Sequence, residues 1–196
     1  MAQKDQLKWD KKYMDNAGLL MPRKPSPLLQ KYMTHAPTNK ALDVACGTGR
    51  NTLFLADNGF EVDALDISAV ALQELSQHMK KVTDISKIHT QLIDLEQYEP
   101  PISHYGLILQ SNFLVRSLIS KLSEALVKNG ILIIDTYMIH EENEKSPSNP
   151  DFYLHPNELK GFFGDKYEIL EYKEYWNGCE ETRHMRKQAI IVEKLS

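Results

Sequence analysis

A short glycine-rich segment is the part of this sequence whose residue types and spacing indicate chemistry. It reads Asp43-Val-Ala-Cys-Gly-Thr-Gly-Arg-Asn51 and lies between a predicted strand, residues 41–45, and a predicted helix, residues 48–58. Small residues let the backbone of such a loop approach a ligand, and the first turn of the helix presents free N–H groups and positive dipole. We therefore expect this loop to bind a ligand.

The spacing within the loop disfavours two common nucleotide sites. A dinucleotide fingerprint requires G-x-G-x-x-G, whereas here the small residues are Ala45, Gly47 and Gly49, and Arg50 stands where the last glycine should be. The loop also lacks the Gly-Lys-Ser/Thr ending with which a P-loop holds phosphates and magnesium. NAD, FAD and ATP chemistry are thus disfavoured, and an oxidoreductase in particular is penalised by Arg50.

An acidic residue ends the next predicted strand. Asp66 follows the glycine loop by some twenty residues, where an acid accepts hydrogen bonds from ribose hydroxyls in open α/β sheets. The alternative is that Asp66 belongs to the helix cap formed by Ser68. Asp94, after the third predicted strand, is likewise either a ligand contact or an ordinary loop carboxylate.

The elements that must position these residues alternate between β-rich runs and helical patterns from Lys40 onward. This alternation is typical of βαβ units and a largely parallel sheet. We predict a Rossmann-like α/β fold, a three-layer sandwich with a mostly parallel seven-stranded sheet and a C-terminal antiparallel hairpin. The seven predicted strands are residues 41–45, 61–66, 88–93, 106–110, 131–137, 167–176 and 183–192.

The helices and loops between the strands have recognisable boundaries. Ser68 is predicted to cap a helix that runs to about Lys81 and faces the sheet with Ala71, Leu72, Leu75 and Met79. A further helix is predicted over residues 114–128, ending at Asn129-Gly130, and a short one over 157–163. Residues 139–156 are rich in Glu, Asn, Ser and Pro, so we expect a mobile loop with no core element. Asn177-Gly178 is predicted to turn the hairpin.

The run of residues 41–52 resembles motif I of class I S-adenosylmethionine-dependent methyltransferases, with Ala45 in place of the usual first glycine. Together with Trp9-Asp-Lys-Lys-Tyr13 and the segment Arg23-Lys-Pro-Ser-Pro27, the chain is most similar to the small tellurite-resistance and thiopurine-type branch. The resemblance implies a domain over residues 40–196 and an N-terminal arm, residues 1–39, that acts as a lid over the cofactor. The alternative for Trp9 and Tyr13 is that they only anchor the arm to the core.

The resemblance also implies a set of contacts with S-adenosylmethionine. Ile67 is expected to cover the adenine, Asp94 to meet its amino group, and Leu95 to supply a backbone contact. The complete set of expected cofactor contacts is Trp9, Tyr13, Asp43, Ala45, Cys46, Gly47, Gly49, Asn51, Asp66, Ile67, Asp94, Leu95 and Gln110.

The methyl acceptor is expected to bind beyond the fourth and fifth strands, among Asn112, Arg116, Tyr137 and Tyr13. Arg116 is otherwise an exposed helix residue, and Asn112 a helix cap. The corresponding family motif, residues 110–116, has no Asp-Pro-Pro-Tyr sequence, which argues against methylation of adenine or glutamine nitrogen. No catalytic base stands out: an oxygen or nitrogen acceptor would need Tyr137, His140 or His155, whereas a thiol or chalcogen oxyanion arrives ionised.

Composition limits the partners. With 23 basic and 27 acidic residues and no basic stripe, we expect a small-molecule acceptor, no nucleic acid, no membrane, and a monomer or homodimer. Cys46 and Cys179 have no metal or redox spacing, and His140, Glu142 and His155 are expected to be solvated, so no metal is predicted. The charged N-terminus has no secretory signal, which favours the cytoplasm. A methyltransferase is the favoured function, and a catalytically silent S-adenosylmethionine-binding regulator is the alternative.

Overall fold

The computed structural model describes residues 2–80, 84–145, 149–178 and 183–196. The helices are α1 (Ala2–Asp15), α2 (Pro27–Tyr32), α3 (Arg50–Asp57), α4 (Ala69–Met79) and α5 (Arg116–Ala125). The strands are β1 (Lys40–Val44), β2 (Glu61–Asp66), β3 (Ile88–Leu92), β4 (Tyr105–Ser111), β5 (Leu126–Tyr137), β6 (Tyr167–Trp176) and β7 (Arg186–Lys194). Short 3-10 turns lie at Ala17–Leu19, Met33–His35, Ile85–Lys87, Pro150–Phe152 and Glu158–Phe162.

The strands form one seven-stranded sheet in the order β3-β2-β1-β4-β5-β7-β6. The first five are parallel, and β7 runs antiparallel to both β5 and β6. The predicted fold class, Rossmann-like α/β with a C-terminal antiparallel hairpin, is confirmed. Because strand order reverses between β1 and β4, the carboxyl ends of these two strands flank a crevice of the type that binds ligands in open α/β sheets.

Helices cover both faces of the sheet. On one face, Leu118, Ile119 and Leu122 of α5 are fully or almost fully buried against alternate residues of the central strands. On the other, Leu29 of α2 and Leu55 of α3 are buried against the opposite set. The central strands are buried on both sides and therefore read as continuous apolar runs.

The predicted cap of α4 is confirmed in detail. The hydroxyl oxygen of Ser68 accepts a hydrogen bond from the backbone N–H of Ala71 at 3.1 Å, and Ala71 and Leu75 are fully buried. Leu72 and Met79 are partly buried against the same cluster. The predicted helix end at Lys81 lies outside the described residues.

The boundary between α5 and β5 differs from the prediction. We expected the helix to continue to residue 128, but it ends at Ala125, because Leu126 has extended backbone angles and pairs with Tyr105 of β4. Asn129 has a φ of 62°, and Asn129-Gly130 is a strand irregularity within β5, where the register against β4 shifts, rather than a helix end. Strand pairing to β4 outweighs the helical pattern of these residues.

The expectation that residues 139–156 contain no core element is wrong at Leu154. This side chain is fully buried in the main core cluster, and its residue pairs with Met138 in a parallel bridge. One apolar residue with two backbone partners is enough to fix this part of the loop on the sheet. Residues 146–148 lie outside the described part of the chain.

The C-terminal hairpin is confirmed, with a longer connection than Asn177-Gly178 alone. The Asn177 side chain accepts a hydrogen bond from the N–H of Met185 at 2.8 Å and donates one to the carbonyl of Arg183 at 2.8 Å. Residues 179–182, including Cys179, lie outside the described residues. Within the described residues, no helix combines the length and apolarity needed to cross a lipid bilayer.

Candidate functional site

The glycine loop connects β1 to α3 through a series of left-handed residues. Ala45, Gly47 and Gly49 have φ values of 55°, 57° and 83°, a region that glycine tolerates best. A Cβ on Gly49 would lie 2.2 Å from a methyl carbon of Leu75, so Gly49 is required by the packing of α4. A Cβ on Gly47 would lie 2.8 Å from the Tyr13 hydroxyl. Both glycines therefore suit the left-handed backbone, but their neighbours differ. Gly49 packs against α4, whereas Gly47 turns its backbone toward the N-terminal arm.

Asp43 supports the loop from below. It is buried, and its Oδ2 accepts a hydrogen bond from the Thr52 hydroxyl at 2.6 Å, which ties β1 to α3. Burial raises the pKa of Asp43 to about 6, although the bond from Thr52 and the charge of Arg50 act in the opposite direction. Asp43 is thus placed to hold the loop in shape.

Asp66, at the end of β2, joins the loop to the next helix. Its Oδ2 accepts a hydrogen bond from the Gly47 N–H at 2.8 Å, and its Oδ1 accepts one from the Ser68 N–H at 2.8 Å. Burial raises the pKa of this carboxyl above its usual value despite both bonds. The two readings of Asp66 are therefore compatible, because one carboxylate borders the glycine loop and the start of α4 at once.

Asp94 lies beyond the next strand along the same edge. The N–H of Ile93 donates to the carbonyl of Asp66 at 2.9 Å, which brings the end of β3 against the end of β2. The Asp94 carboxylate itself accepts bonds from its own turn, from the N–H of Glu96 at 3.0 Å and the side chain of Gln97 at 3.4 Å. Leu95 is buried, whereas Ile67 is half-buried. Asp66 thus borders the glycine loop directly, and Asp94 follows β3 next to the end of β2.

Three buried side-chain atoms among the described residues have no hydrogen-bond partner: Ser26 Oγ, Gln110 Oε1 and Asn112 Oδ1. Gln110 donates to the carbonyl of Phe113 at 3.0 Å, and Asn112 has a φ of 56° with its N–H bonded to the carbonyl of Asp135 at 2.8 Å. Buried polar atoms are normally paired, so unpaired ones at the end of β4 suit a place where a ligand completes the bonding.

Sequence reasoning missed Ser26, which stands at the N-cap position of α2 in the arm without a side-chain capping bond. Its N–H donates to the Oδ1 of Asn51 at 2.8 Å, and both residues are buried. The sequence did offer a signal, because Ser26 precedes Pro27. Serine is common at the N-cap of a helix and proline at its first position, so this pair marks a helix start with a free N–H group. Asn51 therefore connects α3 to the arm.

The arm also contacts the start of α4 through a residue that was not predicted. Asp10 Oδ1 accepts bonds from the Ser68 hydroxyl at 2.7 Å and the Val70 N–H at 3.2 Å. Tyr13 is buried, and burial with the nearby charge of Asp66 raises its pKa. Trp9 is half-buried, with its ring centre 6.3 Å from that of Tyr13. Both predicted arm aromatics thus lie near the loop.

Tyr137 ends β5 above a buried ion pair. Lys187 and Asp135 are both buried and lie 2.8 Å apart, and the Tyr175 hydroxyl donates to Asp135 at 2.7 Å. The Lys187 ammonium lies 5.4 Å from the centre of the Tyr137 ring. The ring centre of Tyr153 lies 6.2 Å from that of Tyr137. Tyr137 thus has both a cation and a second aromatic ring as neighbours.

Arg116 has several protein partners. Its Nε and Nη2 donate to the two carboxylate oxygens of Glu158 at 2.5 and 3.0 Å, and its Nη atoms donate to the carbonyls of Asp151 and Tyr153 at 2.6 and 2.9 Å. These bonds use much of the guanidinium for anchoring the chain after β5. Contact between Arg116 and an acceptor stays a prediction. An acceptor would have to share the guanidinium with these bonds.

The histidines proposed as bases have ordinary surroundings. His140 Nδ1 lies 3.2 Å from the N–H of Glu142, and its ring meets the edge of Trp176 at 5.0 Å. The His155 N–H donates to Glu158 at 2.7 Å. In the part of the chain that the structure describes, no three His, Cys, Asp or Glu residues are grouped as metal ligands.

A cavity of about 230 Å³ borders the outer side of the glycine loop. It lies between the arm and α3, and its lining includes Arg23, Thr48, Arg50 and His78. Arg50 also donates to the Ser111 hydroxyl at 3.3 Å, next to the carboxyl end of β4. A larger cavity, about 320 Å³, is lined by residues such as Met33, Asn39 and Phe60, which lie at the amino ends of the strands and away from these groups.

Comparisons with known proteins place this geometry in a family. Residues 21–187 match the family described as tellurite resistance protein TehB. A probable S-adenosyl-L-methionine-dependent methyltransferase TehB of Haemophilus influenzae is 29% identical over 149 residues, which is 73% of this chain and 51% of that protein. The chain therefore spans about half the length of the curated relatives it matches.

Solved structures of other proteins have a similar fold. The crystal structure of TehB from Haemophilus influenzae has a TM-score of 0.71 and 25% identity, and the match covers 85% of this chain and 61% of that one. A methyltransferase structure from Methanosarcina mazei has a TM-score of 0.66 at 16% identity, covering 88% and 99%. At that identity the likeness concerns the fold alone. The match over residues 21–187, together with this architecture, shows that the chain belongs to the TehB family.

Proposed function

We propose that this protein transfers a methyl group from S-adenosylmethionine to a small anionic acceptor. The observation that carries the proposal is the convergence of the left-handed glycine loop with Asp66 and Asp94 along one edge of the sheet. The Haemophilus influenzae relative is named a probable methyltransferase using this cofactor. Its activity is extended to this chain as part of the proposal.

The residues present fit the cofactor. The backbone around Gly47 allows close approach, Asp66 would accept hydrogen bonds from the ribose hydroxyls, and Asp94 would accept one from the adenine amino group. Ile67 and Leu95 would cover the base. The unpaired Gln110 Oε1 is a buried acceptor at the adjacent strand end and would gain a partner there.

S-adenosylmethionine supplies a methyl group on a sulfonium, which a nucleophile displaces in line. The protein's part is to exclude water and to align the acceptor, an effect of up to about 7–11 kcal/mol in well-oriented systems. Trp9 and Tyr13 of the arm would form the lid over residues 40–196. Asn112 and Tyr137, at the ends of β4 and β5, would border the acceptor.

A group of positively charged side chains favours the binding of an anionic acceptor. Lys12 of α1 has an exposed side chain, and its pKa is lowered first by partial loss of water around the ammonium and then by the charges of Lys145, Lys8, Arg183 and Arg23. These charges come from the arm, the loop after β5 and the hairpin connection, so they converge around the proposed lid. Like charges brought together repel one another, and a bound anion relieves that repulsion. A thiolate or chalcogen oxyanion arrives ionised and needs no base.

An acceptor screen tests the proposal. Purified protein with S-adenosylmethionine is offered tellurite, selenite, thiophenolate and, as a neutral nucleophile for control, aniline, and release of S-adenosylhomocysteine is measured. We expect release with at least one anion and none with aniline. Tight cofactor binding without release for any acceptor would instead favour the silent regulator.

Variants at the acceptor side separate binding from turnover. If Asn112 and Tyr137 contact only the acceptor, Asn112→Ala and Tyr137→Phe leave S-adenosylmethionine affinity within about 0.5 kcal/mol and lower kcat/KM at least ~10-fold, about 1.4 kcal/mol. Tyr167→Phe, on the distant strand β6, is the control. Equal losses of affinity and turnover would assign these residues to the cofactor instead.

A further inference from the structure

The chain after β5 returns to the end of that strand. The N–H of Leu154 donates to the carbonyl of Tyr137 at 3.0 Å, and the N–H of Ile139 donates to the carbonyl of Leu154 at 2.8 Å. Because Leu154 is fully buried, residues 150–158 are fixed on the core at this point. We call them the 150–158 segment.

Arg116, the first residue of α5, fastens the same segment through Glu158 and two backbone carbonyls. The guanidinium pairs with both Glu158 oxygens and with the carbonyls of Asp151 and Tyr153. Glu158 also accepts the N–H of His155 at 2.7 Å. A planar arginine bonded to a carboxylate and two carbonyls specifies orientation as well as distance, so the backbone on either side of Tyr153 is held.

The segment therefore places Tyr153 beside the end of β5 and its neighbour Phe152 beside the arm. The ring of Tyr153 lies 6.2 Å from that of Tyr137. The next residue toward the N-terminus, Phe152, has the Lys8 ammonium of α1 5.8 Å from its ring centre. Tyr153 thus belongs to the same corner of the molecule as the proposed acceptor side and the cations of the arm.

The Tyr153 hydroxyl has a property that suits a ligand contact. Tyr153 is half-buried, and across the described residues no group is within hydrogen-bond distance and geometry of its hydroxyl, whereas Tyr172 and Tyr175 donate to carboxylates. Burial raises the pKa of Tyr153, with Arg183 acting in the opposite direction. The phenol therefore keeps its proton at neutral pH and can donate it in a hydrogen bond.

We propose that Tyr153 donates a hydrogen bond to an oxygen of the acceptor and so favours oxyanions over thiolates, and that Arg116 and Glu158 are the residues that position it. This inference rests on the proposed function, because it concerns the acceptor of the same site. A hydroxyl directed to an anionic oxygen makes a stronger bond than one directed to a diffuse sulfur anion.

Binding of two probes to the protein saturated with S-adenosylhomocysteine tests the contact. Selenite and thiophenolate dissociation constants are measured by calorimetry for the wild type, Tyr153→Phe and the control Tyr167→Phe. Tyr153→Phe keeps the ring beside Tyr137 and removes only the hydroxyl. We expect about a 10-fold weaker selenite affinity, less than about a 2-fold change for thiophenolate, and unchanged S-adenosylhomocysteine binding.

Positioning is tested with Arg116→Gln, Arg116→Lys and Glu158→Gln, against Lys121→Gln, which removes an exposed ion pair of the same helix. We expect weaker selenite binding by about 3-fold or more in Arg116→Gln and Glu158→Gln, and partial recovery in Arg116→Lys, which keeps the charge. A purely structural role would lower the melting temperature and leave the selenite affinity of the folded protein unchanged.

The outcomes distinguish the two proposals. If the wild type fails to bind S-adenosylhomocysteine, the proposed function falls and this inference falls with it. If it binds the cofactor product but selenite affinity is unchanged in Tyr153→Phe, or selenite does not bind the wild type at all, only the present inference is overturned. Equal weakening for both probes also overturns it, because selection between them would be absent.

Discussion

Asp43 is a buried carboxyl whose ionisation opposes folding. Its pKa is raised from 3.8 to about 6 by burial. Below pH 3.8 both folded and unfolded chains carry the proton. Between pH 3.8 and 6 only the unfolded chain loses the proton, so the free energy of unfolding falls as the pH rises. Above pH 6 both states are ionised, and the free energy of unfolding falls no further on account of Asp43.

Replacing Asp43 with Asn keeps an oxygen for the Thr52 hydroxyl and removes the charge. A shift of about two pKa units corresponds to about 3 kcal/mol, so we expect Asp43→Asn to be more stable than the wild type by up to that amount at pH 8 and by almost nothing near pH 4. Urea unfolding without cofactor measures this, with the exposed Asp165→Asn as control. A variant no more stable at pH 8 contradicts the burial argument.

Asp66 carries the clearest prediction about the cofactor. If Asp66 binds the ribose as proposed, Asp66→Ala removes a charge-assisted partner of two hydroxyls and weakens S-adenosylmethionine binding by roughly 2–4 kcal/mol. Calorimetry compares it with Glu96→Ala, which removes an exposed carboxylate near the same edge of the sheet. Unchanged affinity in Asp66→Ala would refute the cofactor assignment.

Single residues could be predicted from the sequence where neighbouring residues along the chain mark their position. Gly47, Asp66 and Ser68 follow directly from strand, loop and cap patterns in neighbouring residues. Asp10 and Tyr153 were missed, because their importance depends on partners 58 and 16 residues away along the chain, and no local pattern encodes such a meeting. Arg116 was located, but its bonds to the 150–158 segment were not foreseen.

At the scale of elements, one residue of α1 docks the arm onto α4. Asp10 accepts bonds from the Ser68 hydroxyl and the Val70 N–H at the start of that helix, where a negative charge also meets the positive end of the dipole. We expect Asp10→Ala to cost about 1 kcal/mol of docking. Trypsin should then cleave α1 about 5-fold faster, because local opening governs cleavage.

The matched control for the arm is Asp15→Ala, which loses only an exposed ion pair with Lys11 within the same helix. It should leave the cleavage rate near that of the wild type. Equal acceleration in both variants would mean that helix stability, rather than the contact with α4, determines access to the arm.

Element boundaries were predictable where a single chemical signal marks them. Examples are the Ser68 cap of α4 and Gly59, which follows the end of α3 with a left-handed φ of 91°. They were not predictable where pairing decides. Residues 126–128 continue the helical pattern of α5, yet they extend because Leu126 meets Tyr105 across the sheet. The buried Leu154 is a similar case, since one apolar residue in a polar stretch gives a weak signal.

For the whole molecule, ligand binding should appear as thermal stabilisation. At a concentration about 100-fold above its dissociation constant, S-adenosylmethionine adds about 2.7 kcal/mol to the free energy of unfolding. For a chain of this size that raises Tm by about 5–10 °C. Scanning fluorimetry should show the shift with S-adenosylmethionine and none with NADH, since Arg50 replaces the last glycine of a dinucleotide loop. A shift with NADH alone would contradict the assignment.

The global arrangement was the most predictable feature. Alternating strands and helices with right-handed crossovers leave few possible orders for a parallel sheet, and the apolar run of β5 indicates a strand buried on both sides. The contacts that join the arm, the 150–158 segment and the hairpin connection are set by the packing of distant parts of the chain. These contacts lie on the proposed acceptor side, and no local pattern in the sequence encodes them.

Cys46 lies within the glycine loop itself, and its position has a consequence for chemical durability. The side chain is 7% exposed, and burial raises the pKa of the thiol well above its usual value. Thiolates rather than thiols react with oxidants and electrophiles. Chalcogen oxyanions oxidise accessible thiols, so a protein that handles them would inactivate itself if its cofactor loop presented a reactive sulfur. By keeping this sulfur protonated and shielded, the fold lets the loop outlast repeated exposure to the oxidising acceptors proposed for it.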